Sequence, residues 1–235
     1  MNSFKQDKSN LIGSEKDIMA LAKKDNAKIL VVSDSHGNYH TLQHILQKKG
    51  STCDALVYCG DGTGDIANCL NRAIEDEEFA KNIPSVISIV EGNGDSNMYP
   101  FSNPAYYKNK KAPVYIEYSI PIMQTFEAAG HKIFSTHGHR FCLSDFDSQY
   151  SSFETLENAA KKEEADIICY GHTHIALAQE TPSALILNPG SCTRPRGGQL
   201  PSFAIINLTK NISYYSYAFF EVTQSGDFPL YDPSL

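Results

Sequence analysis

Five short apolar runs in this chain each stop at a glycine accompanied by aspartate, asparagine or histidine. "KILVVSD" ends in Asp34-Ser35-His36-Gly37, "DALVYCGD" in Gly60-Asp61-Gly62, and "PSVISIVEGN" in Gly92-Asn93-Gly94-Asp95. Further on, "KIFST" ends in His137-Gly138-His139 and "DIICY" in Gly171-His172-Thr173-His174. Continuous apolar runs this short, rich in β-branched residues and bounded by turn residues, read as strands buried on both faces. The first three alternate with segments of helical period, "NYHTLQHILQKK" and "IANCLNRAIEDEEFAKNI". That order is βαβαβ and requires a largely parallel sheet.

The rest of the chain is built differently. Residues 96–130 are richer in Pro, Tyr and Asn and contain the alternating segment "VYIEYSI", suited to an antiparallel or edge strand. Beyond them lie one helical segment, "SFETLENAAKKEEA", and the apolar runs "ALILNPGS", "SFAIINL" and "ISYYSYAFFEV". The second half is therefore strand-dominated, and the chain shows no internal repeat. Residues 1–25 read as an N-terminal extension in which Ser14 is a plausible N-cap and Ile18, Leu21 and Ala22 fall at helical spacing. It packs as an extra helix or stays loose. Residues 26–235 then form one α/β domain with two sheets, and the 235 residues suffice for one sizeable core.

Composition narrows the function classes. No apolar stretch approaches the roughly 18–20 residues needed to cross a bilayer, and the polar start "MNSFKQDKSNLIGSEKD" carries no secretory signal. A cytoplasmic location is the expectation. The formal net charge of −7 disfavours a nucleic-acid polymer as partner. A small phosphate ester, nucleotide-like or not, remains compatible, and a homo-oligomer is left open. The six cysteines show no CxxC spacing, and most lie in apolar runs, as expected of buried reduced thiols. Asn207 and Asn211 match the glycosylation pattern but carry no weight without a secretory signal.

Any one of the five polar clusters is compatible with an ordinary turn. Five at the carboxyl ends of strands in one sheet, where α/β proteins bind ligands, point to a site. Asp34, Asp61 and Asn93 offer hard oxygens, while His36, His137, His172 and His174 offer nitrogen. The mixture suits manganese, iron, zinc or cobalt better than calcium. Seven ligands exceed one tetrahedral shell and suit two ions about 3.5–4 Å apart sharing a carboxylate. On locally extended chain, residues i and i+2 project to one side, so His172 and His174 can face one metal pair.

In this order, D-x-H, G-D, G-N-x-D, H-G-H and G-H-T-H resemble the calcineurin-like metallophosphoesterase superfamily. The short chain and its "GHTH…LNPGS" ending are most similar to the small YfcE-like phosphodiesterase branch, from about Lys28 to about Val222. The resemblance implies a four-layer αββα sandwich. It implies Asp34, His36 and His174 on a first divalent ion, Asp61 bridging, and Asn93, His137 and His172 on a second. Manganese is the first choice, with iron, zinc, nickel or cobalt as alternatives. The implied reaction is phosphodiester hydrolysis by in-line attack of a metal-bridging hydroxide. Two divalent ions, two aspartates and a hydroxide leave roughly one positive charge for the incoming ester. A phosphomonoesterase or nucleotide phosphatase would use the same centre. A metal-binding protein-interaction scaffold, as among retromer-subunit relatives, is the alternative of a different class.

The chain departs from the superfamily pattern at one position. Many members place a histidine after the asparagine, in G-N-H-[DE], to protonate the leaving group; here Gly94 stands there and Asp95 is kept. Asp95 and His139 are the catalytic candidates, His139 as substitute acid or phosphate donor, or as a residue orienting His137. Gly94 and Arg194 are the substrate-binding candidates, and Arg196 lies two residues on. His40 and His44 read as helix surface, and His131 has no assigned role. Tyr99, Phe101, Tyr106 and Tyr107 form either an aromatic wall for a base or packing for the middle segment. General-acid assistance is typically worth about 10²–10⁴-fold. Gly94→His is therefore expected to raise turnover of alkyl phosphate esters more than of nitrophenyl esters, as compared by kcat/KM on matched pairs.

Overall fold

The computed structural model describes residues 2–108, 110, 112–141, 149–210 and 215–234. The Tyr107 side chain, Cys142 and Asn211 lie outside the described residues. The apolar runs become strands β2 (Asn26–Val32), β3 (Ala55–Tyr58), β4 (Val86–Ile89), β8 (His131–Thr136) and β9 (Ile167–Cys169). The other strands are β1 (Ile12–Gly13), β5 (Met98–Ser102), β6 (Tyr115–Ser119), β7 (Met123–Ala128), β10 (Ala176–Glu180), β11 (Leu185–Pro189), β12 (Ser202–Thr209), β13 (Tyr215–Glu221) and β14 (Leu230–Tyr231). Helices are α1 (Glu15–Lys23), α2 (Tyr39–Lys49), α3 (Thr63–Glu75), α4 (Glu77–Ala80), α5 (Pro104–Lys108) and α6 (Gln149–Lys162). The segment expected as one helix breaks between α3 and α4, where Asp76 accepts from the backbone N–H of Glu78 and Phe79.

Two sheets carry the molecule. The larger runs β1-β4-β3-β2-β12-β13-β14, with β2, β3 and β4 parallel. The smaller runs β10-β11-β9-β8-β7, with β8, β9 and β11 parallel. Alternation along each strand then builds the layers. Ile29, Val31, Val57 and Cys59 pack between the sheets against Ile133, Ile167, Cys169 and Leu187. Their neighbours Leu30, Val32, Leu56 and Ile87 point the other way, onto Leu42, Ile45 and Leu46 of α2 and Ile66 and Leu70 of α3. Phe134, Ile168 and Ile186 turn from the smaller sheet onto Phe153, Leu156 and Ala160 of α6. The result is the four-layer αββα sandwich.

One expectation needs correcting. The five polar strand ends do not share a sheet: β2, β3 and β4 belong to the larger one and β8 and β9 to the smaller. Short runs buried on both faces look alike in sequence whichever sheet they join, because both sheets are covered on both sides. The carboxyl ends nevertheless meet, at one rim of the sandwich.

The middle segment forms the hairpin β5–β6, with Tyr99 opposite Tyr118 and Phe101 opposite Ile116. Phe101 is buried and stacks on Tyr118 with centroids 4.7 Å apart, so for this residue the packing reading holds. The five described cysteines are free and buried, and burial pushes the Cys53 thiol up to about 11.

Residues 2–25 lie against both sheets. β1 pairs antiparallel with β4, Leu21 of α1 enters the core between the sheets, and Tyr118 donates its hydroxyl to the Phe4 carbonyl. The buried Asn2 side-chain amide donates to the carbonyls of Ile12, Pro84 and Ser85, and its oxygen accepts from Phe4 N–H. Asn2→Ala leaves these groups unpaired and is expected to cost about 1–3 kcal/mol. The expected readout is a lower denaturant midpoint with an unchanged slope.

Candidate metal centre

The rim where the strand ends meet is held in an unusual backbone conformation. Asp34, His36, Asp61, His172 and His174 all have positive φ, between 46° and 69°. Non-glycine residues there cost of order 1–3 kcal/mol each and persist only where the surroundings over-determine them. The loops supply that constraint by bonding to one another. Asp34 N–H donates to the Gly60 carbonyl (3.0 Å), His36 N–H to Asp61 (3.0 Å) and Gly171 N–H to His137 (3.0 Å). They also approach closely: a Cβ on Gly92 would overlap Asp61 Oδ1.

The "NPGSCT" stretch, which spans the end of β11 and the turn after it, supplies clamps that sequence reasoning missed. Asn188 Nδ2 donates to the Gly171 carbonyl (2.8 Å) and to Thr173 Oγ1 (3.0 Å). Ser191 Oγ donates to the Asp34 carbonyl (2.7 Å), and Thr193 Oγ1 to the carbonyls of Asp34 and Ser35. A second missed set lies beneath His36. Ser35 Oγ donates to Asp65 Oδ2 (2.5 Å), so the Tyr58 hydroxyl donates to Ser35 (2.6 Å), while Gly37 N–H adds a bond to the same carboxylate oxygen (2.9 Å). The polar triplet 33–35 was its one sequence signal, but residues 58 and 65 read as strand and helix positions.

Two groups of potential ligand atoms result: Asp34 with His36 and His174, and Asp34 with Asp61 and His137, the atoms of each within 4.8 Å of one another. His174 Nε2 lies 3.3 Å from Asp34 Oδ1 and 2.9 Å from His36 Nε2. Asp34 is common to both groups, while Asp61 Oδ2 of the second lies 3.8 Å from His36 Nε2 of the first and 3.6 Å from His137 Nε2 of its own. Asn93 Oδ1 is 3.2 Å from His137 Nε2. The His172 ring lies beside that of His137, centroids 5.1 Å apart, and its backbone N–H donates to Asp34 Oδ2.

The donor chemistry fits cations. Asp34 is fully buried, yet its Oδ1 has no hydrogen-bond partner among the described residues. His174 Nδ1–H donates to the Arg194 carbonyl (2.6 Å), so a neutral ring turns its Nε2 lone pair toward that oxygen. His137 is set the same way, Nδ1–H donating to the Cys59 carbonyl (2.7 Å) and Nε2 facing Asp61 and Asn93. Lone pairs converging in a buried space need a proton or a metal ion between them. Burial lowers the pKa of His36 and of His172, holding both neutral. Burial acts the same way on His137, but its bond to Asp61 and the charges of Asp34 and Asp61 outweigh it and raise the pKa. Burial opposes ionisation of Asp61 too, yet His137 and the Gly94 amide leave its carboxyl well below the usual range.

The other candidates fall into place around this cluster. Gly94 N–H donates to Asp61 Oδ1 (2.8 Å), and a Cβ there would stand 3.4 Å from that oxygen, an ordinary contact. His139 has its ring 5.5 Å from that of His137 and 6.2 Å from that of His172, with Nδ1 buried and without a hydrogen-bond partner among the described residues. The Cys59 carbonyl, not His139, orients His137. Arg194 is exposed and places Nη2 3.5 Å from the His36 carbonyl. Away from the centre, His44 bonds the Gly226 carbonyl, and His131 sits between Asp166 and the Thr209 carbonyl.

With fold and site in view, comparison with known proteins places the chain. Residues 27–211 match the calcineurin-like phosphoesterase superfamily domain, and the chain belongs to that superfamily. Within it, the relatives are those of the YfcE-like branch. The probable metallophosphoesterase YsnB of Bacillus subtilis is 27% identical, over 81% of this chain and 91% of its own. Phosphodiesterase YfcE of Escherichia coli K12 is 24% identical, over 77% and 87%. A crystal structure of a conserved protein from Streptococcus pneumoniae TIGR4, described as a predicted phosphoesterase, superposes with a TM-score of 0.60 at 27% identity, covering 88% of this chain and 94% of that one.

Asp95 takes a role that the sequence did not suggest. Its Oδ1 accepts from Gly62 and Thr63 N–H at the start of α3, and its Oδ2 from Gly92 N–H. Asp95→Ala is expected to cost about 1–2 kcal/mol, as for a lost N-cap. Asp95→Asn should recover part of this, since one oxygen still accepts while the new amide opposes an N–H. Thermal melts of the two variants check the order.

Proposed function

We propose that the protein is a dinuclear-metal-dependent phosphodiesterase that hydrolyses its ester by in-line attack of a hydroxide on phosphorus. The observation that carries this reading is the placing of Asp61 Oδ2 within 4 Å of a ligand nitrogen from each group, His36 and His137. In this reading Asp34, His36 and His174 hold one ion, Asn93, His137 and His172 the other, and Asp61 is shared. Manganese is the favoured metal. When bound, the ions supply the Lewis acidity that ionises water near neutral pH and offsets the charge of the ester.

The chain's own residues do the rest. Cys59 and Arg194 carbonyls fix His137 and His174 with their lone pairs inward. The Gly94 amide and His137 keep Asp61 ionised, and Asp95 holds the Asn93 loop against α3. His139 faces the same side as His137 and His172, and burial together with the neighbouring His137 lowers its pKa. A neutral imidazole there suits a hydrogen-bond donor to phosphate better than a strong acid. Phosphomonoester hydrolysis would use the same residues. A cytoplasmic location fits the free cysteines, and no helix among the described residues is long and apolar enough to cross a membrane.

The direct test is a Mn²⁺-supplemented panel of aryl diesters, aryl monoesters and cyclic nucleotides, with metal content measured on the same sample. Two metal equivalents with diester turnover are expected; turnover of monoesters alone would favour the phosphomonoesterase, and metal uptake without hydrolysis of any ester the scaffold reading. Asp61→Ala is expected to abolish turnover and to lower the metal content, and full activity would refute the shared-ligand assignment.

Metal affinity should also depend on pH. An ion at His137 must displace a proton whose pKa is raised in the metal-free protein. Affinity is therefore expected to rise with pH and to level off once the pH exceeds that raised pKa. Calorimetric Mn²⁺ titrations in buffers of different ionisation heat would register the released proton.

A further inference from the structure

A cavity of about 320 Å³ opens beside the ligand cluster, with His36 and Asp61 at one end. Its other wall is backbone at Gly37, Gly62, Gly64 and Gly94, together with the carboxylates of Asp65 and Asp95. The volume would accommodate a small substituent, and the glycines leave room for one close to the backbone. The charges are one-sided: neither lysine nor arginine borders the cavity among the described residues.

Apart from the Gly64 N–H, which has no hydrogen bond among the described residues, nothing there welcomes an anion. The amides at the start of α3 would ordinarily attract one, but Asp95 already accepts from Gly62 and Thr63. Arg194 directs its guanidinium to the His36 carbonyl and is not part of the lining. Asp65, only 5% exposed, engages Oδ2 with Ser35 and Gly37, while its Oδ1 has no hydrogen bond among the described residues. Asp65 belongs to neither group of ligand atoms. It therefore offers an acceptor, and a negative charge, to whatever occupies the cavity.

Building on the phosphodiesterase reading, we propose that this cavity seats the non-leaving alcohol of the diester. That alcohol carries a hydroxyl or ammonium donor and no negative charge, and Asp65 selects for it. Rejection works alongside attraction, since an anionic substituent would meet two carboxylates without a counter-ion.

The test uses four esters of 4-nitrophenyl phosphate that share one leaving group: 2-aminoethyl, 2-hydroxyethyl, ethyl and 2-carboxyethyl. With the Mn²⁺-loaded protein, kcat/KM is expected to be highest for the aminoethyl and hydroxyethyl esters. The carboxyethyl ester should fall at least about tenfold below the aminoethyl ester, with the gap narrowing in high salt. Gly64→Lys places a cation on the cavity wall, where a new Cβ meets only the movable Tyr99 hydroxyl at 2.8 Å. This variant should narrow or reverse the gap. Calorimetry with phosphoethanolamine and 2-carboxyethyl phosphate on the loaded protein gives a second readout, independent of turnover. Phosphoethanolamine binding more tightly, without hydrolysis of any ester, would support the cavity assignment and count against the phosphodiesterase reading. Hydrolysis without charge preference, a carboxyethyl ester that is fastest, or no difference in binding would overturn the cavity assignment.

Discussion

The buried carboxylate of Asp34 is the constraint on which the rest of the rim depends. It lies two residues beyond the central strand β2 of the larger sheet, and its Oδ2 accepts the backbone N–H of His172 from the loop after β9 of the smaller one. Its carbonyl takes the hydroxyls of Ser191 and Thr193, which follow β11. One residue thus ties together loops from both sheets. Its remaining oxygen, Oδ1, faces His36 and His174 nitrogens instead of a donor. A charge held there without compensation is costly, so the arrangement fits a cation.

Much of this was legible because strands and site residues announce themselves differently. Apolar runs such as "KILVV" set the strands, and the polar residues that interrupt them mark the rim. What sequence could not supply was the partition between sheets. Val31 and Leu30 are equally apolar, yet one enters the core between the sheets and the other the layer under α2 and α3. Residues buried on both faces leave no alternation from which to read that choice. Supporting residues were hidden for a related reason. Tyr58 looks like one more apolar position and Asp65 like an ordinary acidic residue in a first helical turn, and only their meeting at Ser35 reveals a network.

Asp95 shows how a motif can keep a residue for a second reason. Read beside the superfamily pattern, an aspartate without its histidine looks like half of a catalytic pair. In the structure its two oxygens accept three backbone amides, joining the loop of Asn93 to the start of α3. That work is complete with glycine at 94, whose own N–H is spent on Asp61. The missing histidine therefore removes chemistry without removing the scaffold.

The strained backbone follows from the same economy of space. For side chains on five loops to converge within a few ångströms, the chain must turn immediately after each strand, before it can spread outward. At Asp34, His36, Asp61, His172 and His174 the proposed ligand itself takes the left-handed turn. A glycine at these points would relieve the strain but remove the polar side chain, so the cost is borne by the residues proposed as ligands. Cross-loop amide bonds and the Ser191, Thr193 and Asn188 clamps offset it. Those clamps come from the end of β11 and the turn beyond it. The centre is therefore assembled last in chain order, when the final parallel strand brings its polar turn back to the first.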